Sequence, residues 1–163
     1  MNNNKNIFKI YDPRGDILLE KRSLSNRKNT LEGLRLAILD NSKWNANKIL
    51  RGSASALSQD IKFSKVNYYV KKHGFSADAT IEMIEEIVND NDIVLTAIGD
   101  CGSCCSSCIR DAVALEDRGI PAAAVITTEF VNETKLTRVA IGTVSYTHLR
   151  AHETGRNLVC RLL

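Results

Sequence analysis

Short apolar runs alternate with amphipathic stretches along the chain from residue 34 onward. The apolar runs are typical of strands, and they cover residues 34–40, 66–70, 92–100 and 122–130, the last with its exit loop. The stretches with helical spacing cover residues 45–57, 76–90, 106–121 and 132–142. Strands that alternate with helices favour βαβ units and a parallel sheet. We therefore predict a three-layer α/β domain, Rossmann-like or flavodoxin-like, with at least four parallel strands.

The clearest helix is predicted over residues 76–90. Ser76 is placed to act as its N-cap. Its apolar stripe comprises Ile81, Ile84, Ile87 and Val88. The next helix has Gly119 at a C-cap position, where a glycine commonly ends a helix. We interpret Asp111 and Glu116 on that helix as exposed charges.

Composition divides the chain into three parts. Residues 1–30 are polar and predict an irregular N-terminal arm, while residues 31–143 carry the α/β pattern. Residues 144–163 are similar to the translation of a transposase adapter used in short-read sequencing libraries, so we interpret them as a non-native tail. A final native strand is then expected to be missing. On this interpretation the H-x3-H spacing of His148 and His152 is accidental and marks no metal site.

Length and charge narrow the class of protein. The 163 residues suit one domain, and 44% hydrophobic with 25% charged residues is an ordinary globular balance. A formal charge of +3 without a polybasic block gives no indication of a nucleic-acid partner. No apolar run approaches the roughly 18 residues of a membrane helix, and the start of the chain lacks a signal-peptide pattern. We predict a cytoplasmic domain with no membrane partner.

Four of the five cysteines lie in the short segment DCGSCCSSC, residues 100–108. They form two C-x-x-C pairs, Cys101 with Cys104 and Cys105 with Cys108. The segment directly follows a predicted strand and precedes a predicted helix. The chemistry of the protein is therefore expected at this strand-to-helix turn.

The first C-x-x-C pair has the pattern of redox-active thiols. A helix N-terminus carries about half a positive charge and unpaired amide donors, which favour a thiolate. Gly102 and Ser103 are expected to allow the tight turn that brings the two sulfurs within disulfide distance. Cys101, on the loop, is predicted to be the exposed attacking thiolate, and Cys104, near the first helical turn, the resolving thiol.

The same cysteines permit other interpretations. Cys101, Cys104 and Cys108 could converge on one zinc ion or iron–sulfur cluster, although structural zinc usually takes two separated pairs and residues 31–143 contain no second pair elsewhere. Buried cysteines without chemistry are a further alternative. A structural disulfide does not suit a cytoplasmic chain. We predict redox-active thiols and no cofactor, with the metal centre as the alternative.

Three loops leave the carboxyl ends of predicted strands, at residues 40–43, 99–108 and 127–130. Ligands of open α/β sheets bind at this edge, where the strand order reverses. The polar and small residues of these loops are therefore candidates for binding substrate or supporting the thiols: Asp40, Asn41, Lys43, Asp100, Gly102, Ser103, Thr127, Thr128 and Glu129.

Several of these residues have more than one open interpretation. Lys43 could stabilise a thiolate or an anionic substrate, or be solvated. Asp100 could accept a proton from Cys101 or form a turn or cap. Glu129 could bind polar groups of a substrate or begin the next helix. Trp44, beside the first loop, is expected to pack, with the wall of a pocket as the alternative.

The segment TAIGDCGSC, followed by RDAVALEDRGIPAAAV, resembles the UGSC-motif (seleno)protein family. ILDNSKWNANKIL resembles the opening strand–loop–helix of that family and TTEF a later loop, so the resemblance spans residues 10–143. A more distant likeness is to the selenocysteine-containing subunit of glycine and betaine reductases. The resemblance implies an α/β fold and a thiol- or selenol-dependent reductive enzyme, with Cys101 in the selenocysteine position and Cys104 as its partner. The second C-x-x-C pair departs from the family pattern.

Taken together, these features predict a thiol-dependent oxidoreductase, the cysteine form of a selenoprotein family. Its expected partners are a small-molecule substrate and a reductant, either a thioredoxin-like protein or a low-molecular-weight thiol. The alternatives are a metal- or cluster-binding subunit that uses the same cysteines, and a redox subunit of a larger reductase.

Overall fold

The computed structural model describes residues 22–142 and the backbone of residues 158–162. Five strands and four α-helices occupy the described residues: β1 Arg35–Asp40, α1 Ala46–Asp60, β2 Lys65–Val70, α2 Ile81–Asp90, β3 Ile93–Gly99, α3 Gly102–Glu116, β4 Ala122–Thr127, α4 Val131–Ala140 and β5 Leu158–Leu162. A 3-10 helix, Thr128–Phe130, joins β4 to α4. None of these helices has the length and apolar character that crossing a bilayer requires.

The sheet has the order β2-β1-β3-β4-β5. Strands β1 to β4 are parallel to one another, which confirms the predicted α/β class and its four-stranded parallel sheet. Strand β5 pairs antiparallel with β4 and lies within residues 144–163. The non-native tail and the missing final strand both stay predictions.

Alternating side chains of the strands build a core on each face of the sheet. On β1, Leu36 and Ile38 pack toward α1, whereas Ala37 and Leu39 pack toward α2 and α3. Parallel strands covered on both faces read as continuous apolar runs, which explains why the sequence pattern located β1, β3 and β4 well. Strand β2 is an edge strand, and Tyr68 and Val70 are exposed.

Several helix boundaries differ from the sequence prediction. Helix α2 begins at Ile81, and its N-cap is Thr80, whose side chain accepts a hydrogen bond from the N–H of Met83; the prediction of Ser76 as the cap is wrong. Helix α3 begins at Gly102, four residues before its predicted start, because Cys101 caps it. Its C-cap is Asp117, and Gly119 lies in the following turn with φ 84°.

The described part of the predicted N-terminal arm lies against the end of α3. The backbone N–H and the hydroxyl of Ser25 donate to the Glu116 carboxylate at 2.8 and 2.7 Å, and Arg27 forms a salt bridge with the same group. Glu116 also accepts a hydrogen bond from the N–H of Ala122. It is only 4% exposed, so its interpretation as an exposed charge is wrong. Residues 1–21 lie outside the described residues.

Candidate thiol site

The site forms where the carboxyl ends of β1 and β3 lie side by side. Asp40, the last residue of β1, pairs with Ala97 of β3. Strand β2 pairs with one edge of β1 and strand β3 pairs with the other edge, so the strand order reverses between β1 and β3. This is the switch point at which open α/β sheets bind ligands. The loops after the two strands therefore meet, as the sequence predicts.

Cys101 and Cys104 lie at the N-terminus of α3 with their sulfur atoms 2.7 Å apart. The sulfur of Cys101 caps the helix by accepting the N–H of Cys104 at 3.4 Å. The sulfur of Cys104 accepts the N–H groups of Asp100 and Cys101 at 3.2 and 3.0 Å. Both cysteines are free; Cys101 is partly exposed, and Cys104 is fully buried. A reagent from solvent can therefore reach Cys101 more easily than Cys104.

The two thiols have opposite pKa shifts. Burial raises the pKa of Cys101, but hydrogen bonds with the thiol and N–H of Cys104, with Lys43 and with Ser103 outweigh it and lower the pKa to about 7. For Cys104, burial and hydrogen bonds with Cys101 and Asp100 raise the pKa to about 12. At neutral pH the pair thus holds a substantial fraction of thiolate on Cys101 and a proton on Cys104.

Lys43 supplies the positive charge beside the thiols. Its Nζ lies 2.7 Å from Oδ1 of Asp100 and 3.6 Å from the sulfur of Cys104. The ring of Phe75 covers the ammonium group at 4.7 Å from ring centre to Nζ. Burial lowers the pKa of Lys43, but the hydrogen bonds to Asp100 and Cys101 outweigh it and raise the pKa, so the side chain remains a cation. The Lys43 ammonium group therefore lies against Asp100 and Cys104 and is not a freely solvated lysine.

Asp40 and Asn41 shape the loop that carries Lys43. Oδ1 of Asp40 accepts the N–H of Ser42 at 2.7 Å, and Oδ1 of Asn41 accepts the N–H of Lys43 at 3.2 Å. Asn41 is fully buried, and its Nδ2 donates to the carbonyl of Ile98 on β3 at 3.0 Å. These side chains therefore tie the β1 loop to itself and to β3.

Gly99, at the end of β3, and Gly102, at the start of α3, have different roles. A Cβ on Gly99 would lie 3.0 Å from Cα of Cys105 and would meet the side chain of Ile126, so the close approach of α3 to β3 requires glycine there. Gly102, by contrast, has no left-handed backbone, and a Cβ on it would meet open space. The turn therefore needs no glycine at Gly102, contrary to the sequence expectation.

The third exit loop borders the site through Thr127. Its hydroxyl donates to the carbonyl of Gly99 at 3.3 Å, which joins the ends of β3 and β4. Thr128 and Glu129 lie in the 3-10 helix directly before α4, and Glu129 is exposed. Glu129 thus stands close to the start of a helix, which was one of its two interpretations.

Cys105 and Cys108 are buried away from the first pair. The sulfur of Cys105 lies 3.1 Å from the hydroxyl of Thr134, and that of Cys108 accepts Nδ2 of Asn41 at 3.4 Å. Both side chains have no exposed surface. Burial raises the pKa of Cys108 to about 12. Neither thiol has the exposure that makes a cysteine accessible to a reagent from solvent.

The ligand atoms that could hold a metal are not the predicted set. In the described part of the chain, the carboxylate of Asp100 and the sulfurs of Cys101 and Cys104 lie within 4.8 Å of one another, and Cys108 is outside this group. The expectation that Cys101, Cys104 and Cys108 converge is therefore wrong. Cys108 lies outside the group of ligand atoms because its side chain packs in the core beneath α3.

Sequence reasoning missed a buried polar cluster behind the thiols. Lys71 is 3% exposed, and its Nζ donates to Asp111, Ser107 and the carbonyl of Ala77 at 2.7, 2.7 and 2.6 Å. Asp111 also accepts the N–H of Ala79 at 2.7 Å. It is 2% exposed, so its interpretation as an exposed charge is wrong. The i, i+4 spacing of Ser107 and Asp111 was a signal for one polar stripe on α3.

Comparison with known proteins identifies the family. No curated protein matches the chain. The family model for the UGSC family matches residues 9–153, which include the thiol segment, all the described helices and four of the strands. The match also includes ten residues of the segment interpreted as an adapter-derived tail. The likeness to the glycine and betaine reductase subunit stays a prediction, whereas the family assignment is confirmed: the chain belongs to the UGSC family.

Proposed function

We propose that this protein is a thiol-dependent oxidoreductase in which Cys101 attacks and Cys104 resolves. One observation carries the proposal: two free thiols lie with their sulfurs 2.7 Å apart, and their pKa values are shifted in opposite directions. A nucleophile needs a thiolate at neutral pH, whereas a resolving thiol is best kept protonated until the adduct forms. Family membership and the switch-point location support the same assignment.

In the first step, the Cys101 thiolate attacks an electrophilic sulfur or another oxidised centre of a small molecule. For a disulfide substrate, a bond forms between Cys101 and one substrate sulfur, and the other substrate sulfur leaves as a thiolate. Lys43 stabilises the attacking thiolate before this step, because its ammonium group lies in the same polar cluster.

In the second step, Cys104 attacks the sulfur of Cys101 and releases the remaining substrate thiolate. Its proton passes to Oδ1 of Asp100, which lies 3.2 Å from the Cys104 sulfur. Together the two steps convert two thiols into one Cys101–Cys104 disulfide and transfer two electrons to the substrate. A thioredoxin-like protein or a low-molecular-weight thiol supplies two electrons to reopen that disulfide.

An aryl disulfide that releases a coloured thiolate, dithiobis(nitrobenzoate), tests both steps. With native protein, one reagent molecule should release both of its halves and leave a Cys101–Cys104 disulfide. Cys104→Ser should release only one half and keep the other bound to Cys101. Cys101→Ser should lose the rapid reaction, whereas Cys105→Ser, a matched change at a buried cysteine four residues away, should keep it. Equal loss in Cys101→Ser and Cys105→Ser would contradict the proposal.

A metal site is the second candidate, because Asp100, Cys101 and Cys104 bring three ligand atoms together. Two sulfurs on one tetrahedral zinc ion, each at about 2.3 Å, lie about 3.8 Å apart. The sulfurs of Cys101 and Cys104 are 2.7 Å apart, so they would have to separate to bind zinc. Metal analysis of anaerobically purified protein distinguishes the candidates. Stoichiometric zinc or iron that is lost in Cys101→Ser would favour the metal site over the thiol pair.

A further inference from the structure

A cleft of about 370 Å³ opens between the loop after β1 and the start of α1. Its walls include Asp40, Lys43, Trp44, Asn45, Asn47 and Lys48. Sites for small ligands typically have volumes of about 300–1,000 Å³, so this cleft suits a compact molecule. It lies at the carboxyl end of β1, beside the switch point between β1 and β3.

Lys43 connects the cleft to the chemistry. The residue lines the cleft, while its Nζ reaches Asp100 and the sulfur of Cys104. A molecule held in the cleft therefore lies against the same residue that contacts the thiol pair. Lys43 is therefore the residue that the cleft and the thiol site share.

Trp44 gives the cleft a flat apolar wall. It is the single tryptophan of the chain and is 82% exposed. The sequence expectation that Trp44 packs against the protein is therefore wrong, and its alternative, the wall of a pocket, agrees with the structure. A large aromatic side chain left in solvent at the mouth of a cleft presents a face on which a planar group can stack.

Two lysines and one carboxylate line the cleft. Lys43 and Lys48 oppose the single carboxylate of Asp40. Lys43 forms a salt bridge with Asp100, whereas Lys48 is exposed and has no salt bridge within the described residues. Helix α1 begins at the same cleft, and its first turn contains no acidic residue. Lys48 is therefore the cation at this rim that is left for a ligand.

We propose that this cleft binds the carboxylate end of a small planar substrate. Lys48 pairs with the carboxylate and Trp44 stacks on the planar part, so that the other end of the molecule points toward Cys101. A single lysine without a salt bridge suits a monoanionic carboxylate better than a phosphate with two charges. The inference rests on the proposed function for what happens to the bound molecule, but the binding itself does not require the thiols.

The fluorescence of Trp44 tests the binding directly, because no other tryptophan contributes. In Cys101→Ser protein, which lacks the proposed nucleophile, benzoate should change the fluorescence saturably, and neutral benzamide should not. Lys48→Gln should weaken benzoate binding about two- to fivefold, the size expected for one exposed ion pair, and Lys48→Arg should restore it. Lys62 is exposed and precedes the amino end of β2, whereas the cleft lies at the carboxyl end of β1. The control variant Lys62→Gln should therefore bind benzoate like the parent protein.

The sign of the electrostatic effect provides a second check. Asp40→Asn keeps an oxygen for the N–H of Ser42 but removes the negative charge, so it should tighten benzoate binding. No saturable change, an equal response to benzamide, or equal weakening by Lys48→Gln and Lys62→Gln would overturn the inference. None of these results would affect the aryl disulfide reaction of the native protein, so failure of the cleft and failure of the thiol proposal are distinguishable.

Discussion

Lys43 and Asp100 form a salt bridge of 2.7 Å across the switch point of the sheet, one from the loop after β1 and the other from the end of β3. The bridge places a positive charge next to two sulfurs that would otherwise face a carboxylate alone. Asp100 by itself would oppose formation of a thiolate, since like charges disfavour each other. The pair thus lets the protein keep a carboxylate beside the proposed thiolate of Cys101.

The reactivity of Cys101 should depend on Lys43. Lys43→Gln removes the ammonium group and should raise the pKa of Cys101 from about 7 toward its ordinary value. At pH 7, a rise of one pKa unit lowers the thiolate fraction about fivefold. The rate of alkylation by iodoacetamide, followed as a function of pH with mass spectrometry of the Cys101 peptide, measures this shift. Lys43→Arg serves as the control that keeps the charge, and an unchanged pH profile in Lys43→Gln would contradict the assignment.

Loss of the Asp100 charge should separate the two chemical steps. Asp100→Asn keeps the shape of the side chain but removes the proposed acceptor of the Cys104 proton. Alkylation of Cys101 should proceed at least as fast, because a negative charge near the thiolate is gone. Release of the second half of the aryl disulfide reagent should slow, because Cys104 keeps its proton. If both halves leave as fast as in the native protein, Asp100 has no part in the second step.

Much of the fold could be predicted because it follows from local patterns. The apolar runs of β1, β3 and β4 and the helical spacing of α1 and α2 depend on residues close in sequence. The position of Cys101 at a helix start was predictable for the same reason, although α3 begins earlier than the apolar pattern indicated. The cap is a sulfur atom, and cysteine is not among the residues usually preferred there.

The buried charges could not be predicted from local pattern. Asp111 looks like a solvated helix residue unless Lys71, 40 positions away in sequence, is known to lie beside it. The same holds for Glu116, which is covered by the chain around Ser25. Cys108 belonged to the alternative set of metal ligands, but its side chain packs in the core between α3 and the sheet. Each of these outcomes depends on tertiary contacts between distant segments.

Stability should fall in acid as Asp92 becomes protonated. Its carboxylate accepts hydrogen bonds from the side chain and backbone N–H of Arg35, and these outweigh burial and lower its pKa to about 2. A group with a lowered folded-state pKa stabilises the protein above its unfolded pKa, and this contribution is lost as the pH falls through the folded value. Asp92→Asn should therefore lower the melting temperature at neutral pH, and the difference from the native protein should shrink toward pH 2. A difference that is constant with pH would contradict this linkage; Asp60→Asn, at the exposed end of α1, is the matched control.

The buried pair of Lys71 and Asp111 should be a major determinant of folding stability. Lys71→Met leaves the Asp111 carboxylate buried without its cation, and loss of one partner of a buried pair costs about 3–5 kcal/mol. Asp111→Leu should be similarly damaging, whereas the double variant should lose clearly less than the sum, because neither charge is then left unpaired. Urea denaturation of the four proteins gives the coupling energy directly. Additive losses would mean that the two side chains stabilise the protein independently, despite the 2.7 Å between Nζ of Lys71 and Oδ2 of Asp111.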